Sequence, residues 1–165
     1  MSGGISEILV ENAKLFDSVT GIAFLTSKGR GGYIKDVMLS DIDFRNVILA
    51  IKLTGDCSTH PDDKFDPEAL PIVNGITFKN IVGMNVTIAG NFSGIPESPF
   101  TGICLSNVAF TLNPKPSTSS EPWVCSNVSG FSEKVSPLPC LELLDSSSSS
   151  VCGSLPSSHN RVAVL

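Results

Sequence analysis

The stretch that decides the fold is Gly75-Ile76-Thr77-Phe78-Lys79-Asn80-Ile81, because its pattern occurs four times along the chain. Apolar residues alternate with other residues, a polar residue follows, and Asn or Asp precedes the next apolar side chain. The same pattern is found at 7–13, 36–42 and 102–108. Alternation with a period of two, together with many Ile and Val residues, is typical of β-strands. We therefore predict four copies of one short strand unit.

Each copy has Asn or Asp at the same position, and these residues are Asn12, Asp41, Asn80 and Asn107, separated by 29, 39 and 27 positions. The middle interval is long because an insertion intervenes. Asn and Asp tolerate left-handed backbone angles, and stacked side-chain amides form hydrogen-bonded ladders. We expect the chain to turn at each of these residues and the four side chains to form a ladder.

Small residues recur nine positions further on in three of the copies, at Gly21-Ile22, Ala50-Ile51 and Ala89-Gly90. Because small side chains let neighbouring backbones approach closely, this second column predicts a tight stacked corner.

Strand-rich repeats of roughly 20 to 30 residues predict a solenoid, in which each coil buries its apolar face against its neighbours. We predict an all-β fold, a right-handed parallel β-helix that is truncated at its N-terminal side. A leucine-rich horseshoe lacks its consensus here, and a β-sandwich would place a strand about every 8 to 12 residues.

We divide the chain into three parts. Residues 1–112 form the coils, with a polar, Pro-containing loop inserted at 55–71. A cap that contains Cys and Trp follows at 113–142. The Ser-rich tail at 143–165 is expected to be disordered, because such a composition buries little apolar surface.

The charge of the chain argues against two classes of partner. The formal net charge is −5 and charged residues make up 16% of the chain, so there is no basic surface for nucleic acid or an anionic membrane. No apolar run approaches the roughly 20 residues that a membrane span requires.

Three Asn-x-Ser/Thr sequons, at Asn85, Asn91 and Asn127, and five cysteines suit a secreted protein. The stretch Met1–Glu7, however, has neither the basic nor the apolar region of a secretory signal peptide. We therefore expect the chain to be a piece, or a short product, of something longer that carried the signal.

The remaining candidates for chemistry are weak. His60, Asp62 and Asp63 lie in the polar insertion without metal-ligand spacing, which favours a plain surface loop. The chain has no Gly-x-Ser-x-Gly motif, P-loop or Cys-x-x-Cys pair. We expect no metal site and no cofactor.

One group of carboxylates, Asp36, Asp41 and Asp43, lies on a predicted strand. In the repeat, Asp41 belongs to the Asn/Asp column, and Asp36 and Asp43 are expected to face solvent. Cys104 occupies an inward strand or turn position and is expected to be a buried thiol.

Five stretches together resemble plant polygalacturonases of glycoside hydrolase family 28, in the C-terminal part of those proteins: Thr26–Lys35, Gly55–Ile72, Ser98–Asn107, Trp123–Gly130 and Val135–Cys140. The resemblance covers roughly residues 1–142. It implies a parallel β-helix that hydrolyses the galacturonan of pectin with inversion, in the extracellular space and the cell wall.

The resemblance supplies no catalytic residue. The family's Asn-Thr-Asp, Asp-Asp and Gly-His-Gly motifs belong to earlier coils, and none is found at its place here. The family's substrate-binding Arg-Ile-Lys position reads Ala23-Phe24-Leu25. Lys28 and Arg30 are our candidates to bind the galacturonan carboxylate instead, and a solvated turn before Gly31 is the alternative interpretation.

The C-terminal tail of the chain contains Cys125, Cys140 and Cys152. A Cys125–Cys140 disulfide is our preferred pairing, and closing a loop of about 15 residues would contribute roughly 3 kcal/mol. Cys57 or Cys152 then has no partner. Trp123 could act as a sugar platform, although capping the last coil is the favoured role.

Two functional hypotheses follow, besides the possibility that the chain never folds stably. The chain is an inactive, truncated copy of a pectin hydrolase, or it is a non-catalytic protein that binds pectin. The net negative charge opposes tight binding of an anionic pectate chain unless a local basic cleft overrides it. We also expect self-association through the first coil, whose apolar face and strand edges would be uncapped.

Overall fold

The structure is a computed structural model that describes residues 3–57, 66–113, 121–144, 152 and 160–162. Its strands are β1 (Gly4–Glu11), β2 (Lys14–Phe16), β3 (Thr20–Leu25), β4 (Tyr33–Thr54), β5 (Ile72–Ser93), β6 (Phe100–Leu112), β7 (Trp123–Ser126), β8 (Val128–Ser136) and β9 (Asn160–Val162). A single 3₁₀ turn is described at Leu141–Leu143.

The strands pair in parallel and in the order β8-β6-β5-β4-β1-β9. Strands β2 and β3 pair with β4, and β7 pairs with β5. Equivalent residues of successive repeats lie side by side, as in the row Ile8, Val37, Ile76 and Ile103. Each coil pairs in parallel with the next in the register of the sequence repeat, as in a parallel β-helix. The predicted fold class is therefore confirmed.

The predicted Asn/Asp column is a ladder in the structure. Asn12, Asp41, Asn80 and Asn107 have φ values of 59°, 57°, 53° and 54°. The Asn80 Nδ2 donates to Asp41 Oδ1 at 3.1 Å, and the Asn107 Nδ2 donates to Asn80 Oδ1 at 3.0 Å. Lys134 follows in the same column with φ of 52°. The left-handed angle turns the chain, and the side chains bond along the stack.

A second ladder lies five positions after the first, and the sequence analysis missed it. Asp17, Asn46 and Asn85 all have positive φ, and each of two bonds, from Asn46 Nδ2 to Asp17 Oδ1 and from Asn85 Nδ2 to Asn46 Oδ1, measures 2.8 Å. A third column of positive φ contains Glu7, Asp36, Gly75 and Gly102. Each coil therefore has more turns than the single Asn/Asp column of the sequence analysis predicted.

The predicted small-residue corner coincides with a break in the pairing. The backbone pairing of β3 with β4, and of β4 with β5, is interrupted at Gly21, Ala50 and Ala89. Ala50 and Ile51 are both fully buried, so two consecutive side chains face inward. A Cβ on Gly21 would clash with the ring of Phe44, which explains why only a small residue fits there.

The core is a stack of columns rather than a single cluster. Val37, Ile76 and Ile103 form one column and Leu39, Phe78 and Leu105 form the next, and each side chain is at most 3% exposed. Aromatic contacts run across the interior from Phe24 to Phe44 through Phe78, Phe92, Trp123 and Phe110. Full burial of such side chains is worth about 1.5 to 3 kcal/mol each.

Trp123 lies inside this core at the last coil and is 3% exposed, with its indole N–H donating to the Pro137 carbonyl at 3.0 Å. Its burial rules out a sugar platform and agrees with the capping role. Cys125 and Cys140 form the predicted disulfide. The expectation for Cys104 was wrong: its side chain is buried, but it is bonded to Cys152. A pairing across 48 positions depends on the path of the chain, which spacing alone does not give.

The described residues of segment 143–165 depart from the expected disorder. Leu143 is fully buried in the core, Cys152 is bonded to β6, and Asn160–Val162 pairs with β1. The run Ser146–Ser150 lies outside the described residues. So do His60, Asp62 and Asp63 of the insertion. In the part of the chain that the structure describes, no helix has the length and hydropathy to cross a membrane.

Candidate functional site

The candidate site is the outer surface of β3 and the strand segments stacked beside it. Ala23, Lys52, Asn91 and Val124 are register partners on successive coils. Two positions later, Leu25, Thr54, Ser93 and Ser126 form a parallel row. We call these eight residues the front strip. Neighbouring coils are about 4.8 Å apart, so the strip extends across four coils.

Burial of the residues between the strip positions shows which way the side chains of the strip point. Leu53 and Phe92 are fully buried in the core. Because successive side chains of a strand point to opposite faces, Lys52, Asn91 and Ser93 must point outward. The same apolar alternation that forms the coil therefore presents these polar side chains to solvent.

The front strip is polar in its second and third coils and at Ser126 of the fourth, although the Thr54 side chain of the second coil is buried. The Ser126 Oγ donates to Ser93 Oγ at 3.3 Å, and Thr54 Oγ1 accepts a hydrogen bond from the Asp56 amide at 3.1 Å. Among the described residues, no carboxylate forms an ion pair with the Lys52 ammonium. Hydroxyl, amide and ammonium groups on one surface are able to bond the hydroxyl and carboxylate groups of an acidic sugar.

Lys28, a predicted binding residue, lies where three loops meet. Its ammonium is 3.1 Å from Glu68 Oε2 and 3.4 Å from Glu97 Oε1. The loops are held together by bonds from the Gly29 amide to the Ala69 carbonyl at 2.8 Å and from Ser98 Oγ to the Pro71 carbonyl at 2.7 Å.

The pKa values of Lys28 and Glu97 both depart from their usual values at the loop junction. The hydrogen bond to Glu68, followed by its charge, raises the pKa of Lys28 above its usual value. A hydrogen bond from its own backbone, followed by Lys28, lowers the pKa of Glu97. Two carboxylates surround one ammonium, so the charge of Lys28 is already compensated and an anionic sugar gains little there.

Arg30, the second predicted binding residue, is partly buried and lines a cavity of about 390 Å³. Leu25, Tyr33 and Pro71 line the same cavity. Arg30 therefore faces the first coil, whereas Lys28 is engaged by the loops of later coils. The structure gives the two residues different surroundings, and the role predicted for them stays a prediction.

Two described carboxylates near the front strip, Glu68 and Glu97, are unsuited to acid catalysis. Glu68 and Glu97 are both paired with Lys28, and the pKa of Glu97 is lowered, whereas a general acid needs a raised pKa. Asp36 is exposed, as expected. Asp43 is not simply solvated, because its carboxylate accepts two hydrogen bonds from Arg45, at 2.9 Å and 3.2 Å.

One grouping among the described residues has the spacing of metal ligands, namely Cys125, Cys140 and Glu142. Its two sulfur atoms are joined in a disulfide, so the grouping offers no thiolate for a metal ion.

Lys52 is the residue that sequence reasoning missed. It lies 29 positions after Ala23, which is the same interval that separates Asn12 from Asp41. Extending that repeat from the Asn/Asp column to position 23 would have found it. A cation is therefore present beside the Ala23-Phe24-Leu25 position, one coil further along.

Comparison with known proteins gives three relatives with polygalacturonase names. A "Probable polygalacturonase" of Vitis vinifera is 40% identical over 145 residues, which are 88% of this chain and 29% of that protein. A "Polygalacturonase" of Chamaecyparis obtusa is 28% identical over 130 residues, 77% of this chain and 24% of that protein. A "Polygalacturonase" of Persea americana is 26% identical over 125 residues, 75% of this chain and 26% of that protein.

Neither the family models nor the solved structures give a match. The three relatives agree with one another in carrying a polygalacturonase name. In sequence, the chain resembles plant polygalacturonases, and it spans less than a third of the length of the curated relatives it matches.

Proposed function

We propose that this chain serves in pectin degradation as a galacturonan-binding part of a polygalacturonase, and that it does not hydrolyse galacturonan alone. The observation that carries the proposal is the front strip, with Lys52 among neutral polar side chains on the surface next to the Ala23-Phe24-Leu25 position. The relatives, whose names denote galacturonan hydrolases, support the substrate class.

The shape of the front strip supports binding of a long polymer. Its residues lie on four coils along the solenoid, and an elongated ligand can contact several coils at once. Lys52 supplies the charge that a galacturonate carboxylate requires, and Asn91 and Ser93 lie beside it on the next coil. A single exposed ion pair contributes little, about 0 to 1 kcal/mol, so we expect weak binding that depends on several sugars.

The net charge of the chain makes that binding sensitive to salt. The chain carries −5 overall, so a polyanion is repelled except near the local cation. Salt screens both effects, with a Debye length of about 8 Å at physiological ionic strength. Because the attraction acts over contact distance, retention should be strongest at moderate ionic strength.

The chemistry of inverting hydrolysis supports the second half of the proposal. An acid and a base must face the scissile bond about 6.5 to 9.5 Å apart with a water molecule between them. Glu68 and Glu97 are two described carboxylates that lie on either side of one ammonium, that of Lys28. An ammonium between two carboxylates does not match the water-filled gap that an inverting acid and base require.

Retention on immobilised polygalacturonate tests the binding role. We expect the chain to be retarded, Lys52→Ala to reduce the retention at least threefold, and Lys79→Ala to leave it unchanged. Lys79 is the matched control, because it is an exposed lysine of β5 outside the front strip. Equal loss from both variants would show non-specific charge binding, and no retention of the unmodified chain would refute the binding role.

The double variant Lys28→Ala with Arg30→Ala compares the front strip with the site predicted from the sequence. Since Lys28 is already paired with two carboxylates, we expect this variant to keep most of the retention. A loss larger than that of Lys52→Ala would place the binding site at Lys28 and Arg30 instead.

A reducing-end assay on polygalacturonate tests the claim of inactivity. We expect no turnover by the purified chain above a heat-treated control. Release of reducing ends that increases linearly with enzyme concentration and time would make the chain a hydrolase in its own right and would overturn that claim.

A further inference from the structure

The front strip places exposed apolar side chains on either side of its ammonium group. Leu25 lies on the coil before that of Lys52, and Val124 lies two coils after it in the same row. Leu25 is 50% exposed and Val124 is 46% exposed. Coils stack along the solenoid axis, so a neighbouring coil lies beside an outward side chain and does not cover it. A ligand that crosses the strip therefore meets apolar surface before and after the cation.

The charges next to the strip offer little to a polyanion. Described charged residues there include as many carboxylates as cations, namely Lys28, Arg30, Lys52, Asp56, Glu68 and Glu97. A galacturonan with a carboxylate on every sugar therefore meets as much negative as positive charge along the strip. The net charge of −5 adds to the repulsion. Such a surface favours a polymer that carries fewer negative charges.

We propose that the front strip recognises partly methyl-esterified galacturonan, with a free carboxylate at Lys52 and methyl-ester groups over Leu25 and Val124. This inference rests on the proposed function and specifies which form of the polymer the strip binds. Methyl esterification removes the negative charge of a carboxyl group and adds an apolar methyl group. Both changes suit a surface whose cation stands between apolar side chains.

The spacing along the strip agrees with this arrangement. Leu25 is one coil spacing from Lys52, about 4.8 Å along the axis, and Val124 is two spacings away, about 10 Å. Asn91 lies between Lys52 and Val124, and Ser93 is beside it on the same coil. Acid and ester sugars alike carry hydroxyl groups, which these polar side chains are able to bond. One free acid with ester groups on both sides therefore matches the strip.

The two contributions are similar in size. Burying one methyl group improves affinity about fourfold. One exposed ion pair improves it by up to about fivefold. Neither the fully charged nor the fully esterified polymer provides both contacts, so a mixed polymer should bind best.

The experiment measures retention of the chain on three immobilised forms of one pectin, matched in galacturonan load. One form is highly esterified, one is half-esterified by partial saponification, and one is fully saponified. We expect the half-esterified form to retain the chain at least threefold more strongly than the saponified form. We also expect it to exceed the highly esterified form, which has few free carboxylates for Lys52.

The double variant Leu25→Ser with Val124→Ser removes the apolar contacts. It should lose the preference for the half-esterified over the saponified form, while its retention on the saponified form stays within twofold. Val82→Ser with Met84→Ser is the matched control, because these residues of β5 are 52% and 61% exposed and lie outside the front strip. The control variant should keep the preference.

Lys52→Ala tests the ionic contact in the same assay. It should reduce retention on the half-esterified form at least threefold and leave retention on the highly esterified form unchanged. High salt separates apolar contact from charge repulsion, because salt screens charges and does not weaken apolar burial. The preference for the half-esterified over the saponified form should therefore persist in high salt.

Several results would overturn the inference and leave the proposed function standing. They are strongest retention on the saponified or the highly esterified form, a preference that vanishes in high salt, and a preference that survives Leu25→Ser with Val124→Ser. Equal loss of the preference in the Val82→Ser with Met84→Ser variant would have the same meaning. Retention on none of the three forms would refute the proposed function itself, and the inference with it.

Discussion

The inner columns and the front strip belong to the same coils, but their residues differ in how regularly they repeat from one coil to the next. Inside, each repeat places a similar apolar residue on its predecessor, as in Leu39, Phe78 and Leu105. Outside, the register partners Ala23, Lys52 and Asn91 share no chemical character. Repetition is required where side chains must fill a continuous interior, and it is not required where they face solvent. Binding chemistry is therefore expected at the positions that break the repeat.

The largest effect should come from breaking an inner column. Phe78 is fully buried and lies 6.3 Å, between ring centroids, from both Phe24 and Phe92. Phe78→Ala should lower the free energy of unfolding by about 3 to 5 kcal/mol, because it leaves a cavity between stacked coils. Urea denaturation followed by circular dichroism measures the loss. A change below about 1 kcal/mol would show that the columns are not the main source of stability.

Breaking the Asn/Asp ladder should have the next largest effect. Asn80 donates to Asp41, accepts from Asn107 and has φ of 53°. Asn80→Ala loses two hydrogen bonds and strains the left-handed angle, so we expect a loss of roughly 2 kcal/mol or more. Asn80→Gly loses the bonds but accepts the angle, and it should be about 1 kcal/mol milder. Equal losses in urea denaturation would show that the backbone angle contributes nothing.

A cation added to the front strip should change binding but not stability. Ala23 is exposed and is the register partner of Lys52, so Ala23→Lys should increase retention on polygalacturonate about threefold while stability stays within about 0.5 kcal/mol. Ala109→Lys, on an exposed position of β6, adds the same charge elsewhere. The gain should disappear at high salt. An equal gain from both variants would indicate net charge rather than the strip.

The smallest effect concerns the loops beside the strip. The pKa of Glu97 is below its usual value, first through its own backbone and then through Lys28. The stabilisation from this shift is therefore present above the usual glutamate pKa and is lost as pH falls through the lower folded value. In Lys28→Ala the Glu97 pKa should rise part of the way back, as carbon-detected NMR titration would show. An unchanged Glu97 pKa would mean that the ion pair is not formed in solution.

The sequence predicted the coils from particular residues. The interval between Asn12 and Asp41 sufficed to align the repeats, and the apolar alternation around Phe78 identified the interior. The ladder of Asp17, Asn46 and Asn85 had the same interval and was overlooked. It lies outside the seven-residue pattern that defined the repeat, so aligning only that pattern did not reveal it.

The partners of side chains far apart in the chain could not be predicted in the same way. Lys28 was a candidate either for binding a sugar carboxylate or for a solvated turn, and its ammonium meets Glu68 and Glu97, which enter from the loops of two later coils. Cys104 was expected to be a thiol, and a cysteine 48 positions away forms a bond with it. In both cases the decisive neighbour arrives through a loop or a tail that does not follow the repeat.

By itself, the sequence determined what is periodic in this protein: parallel coils, an apolar interior, and Asn and Asp where the chain turns. Periodic apolar residues specify one packing, because each coil can bury its face only against the next. The tertiary structure alone decided which loops compensate Lys28, which outward residues stand beside Ala23, and that Asn160–Val162 lies along β1. Those contacts depend on where non-repeating segments cross the solenoid, and no local pattern of residues encodes that path.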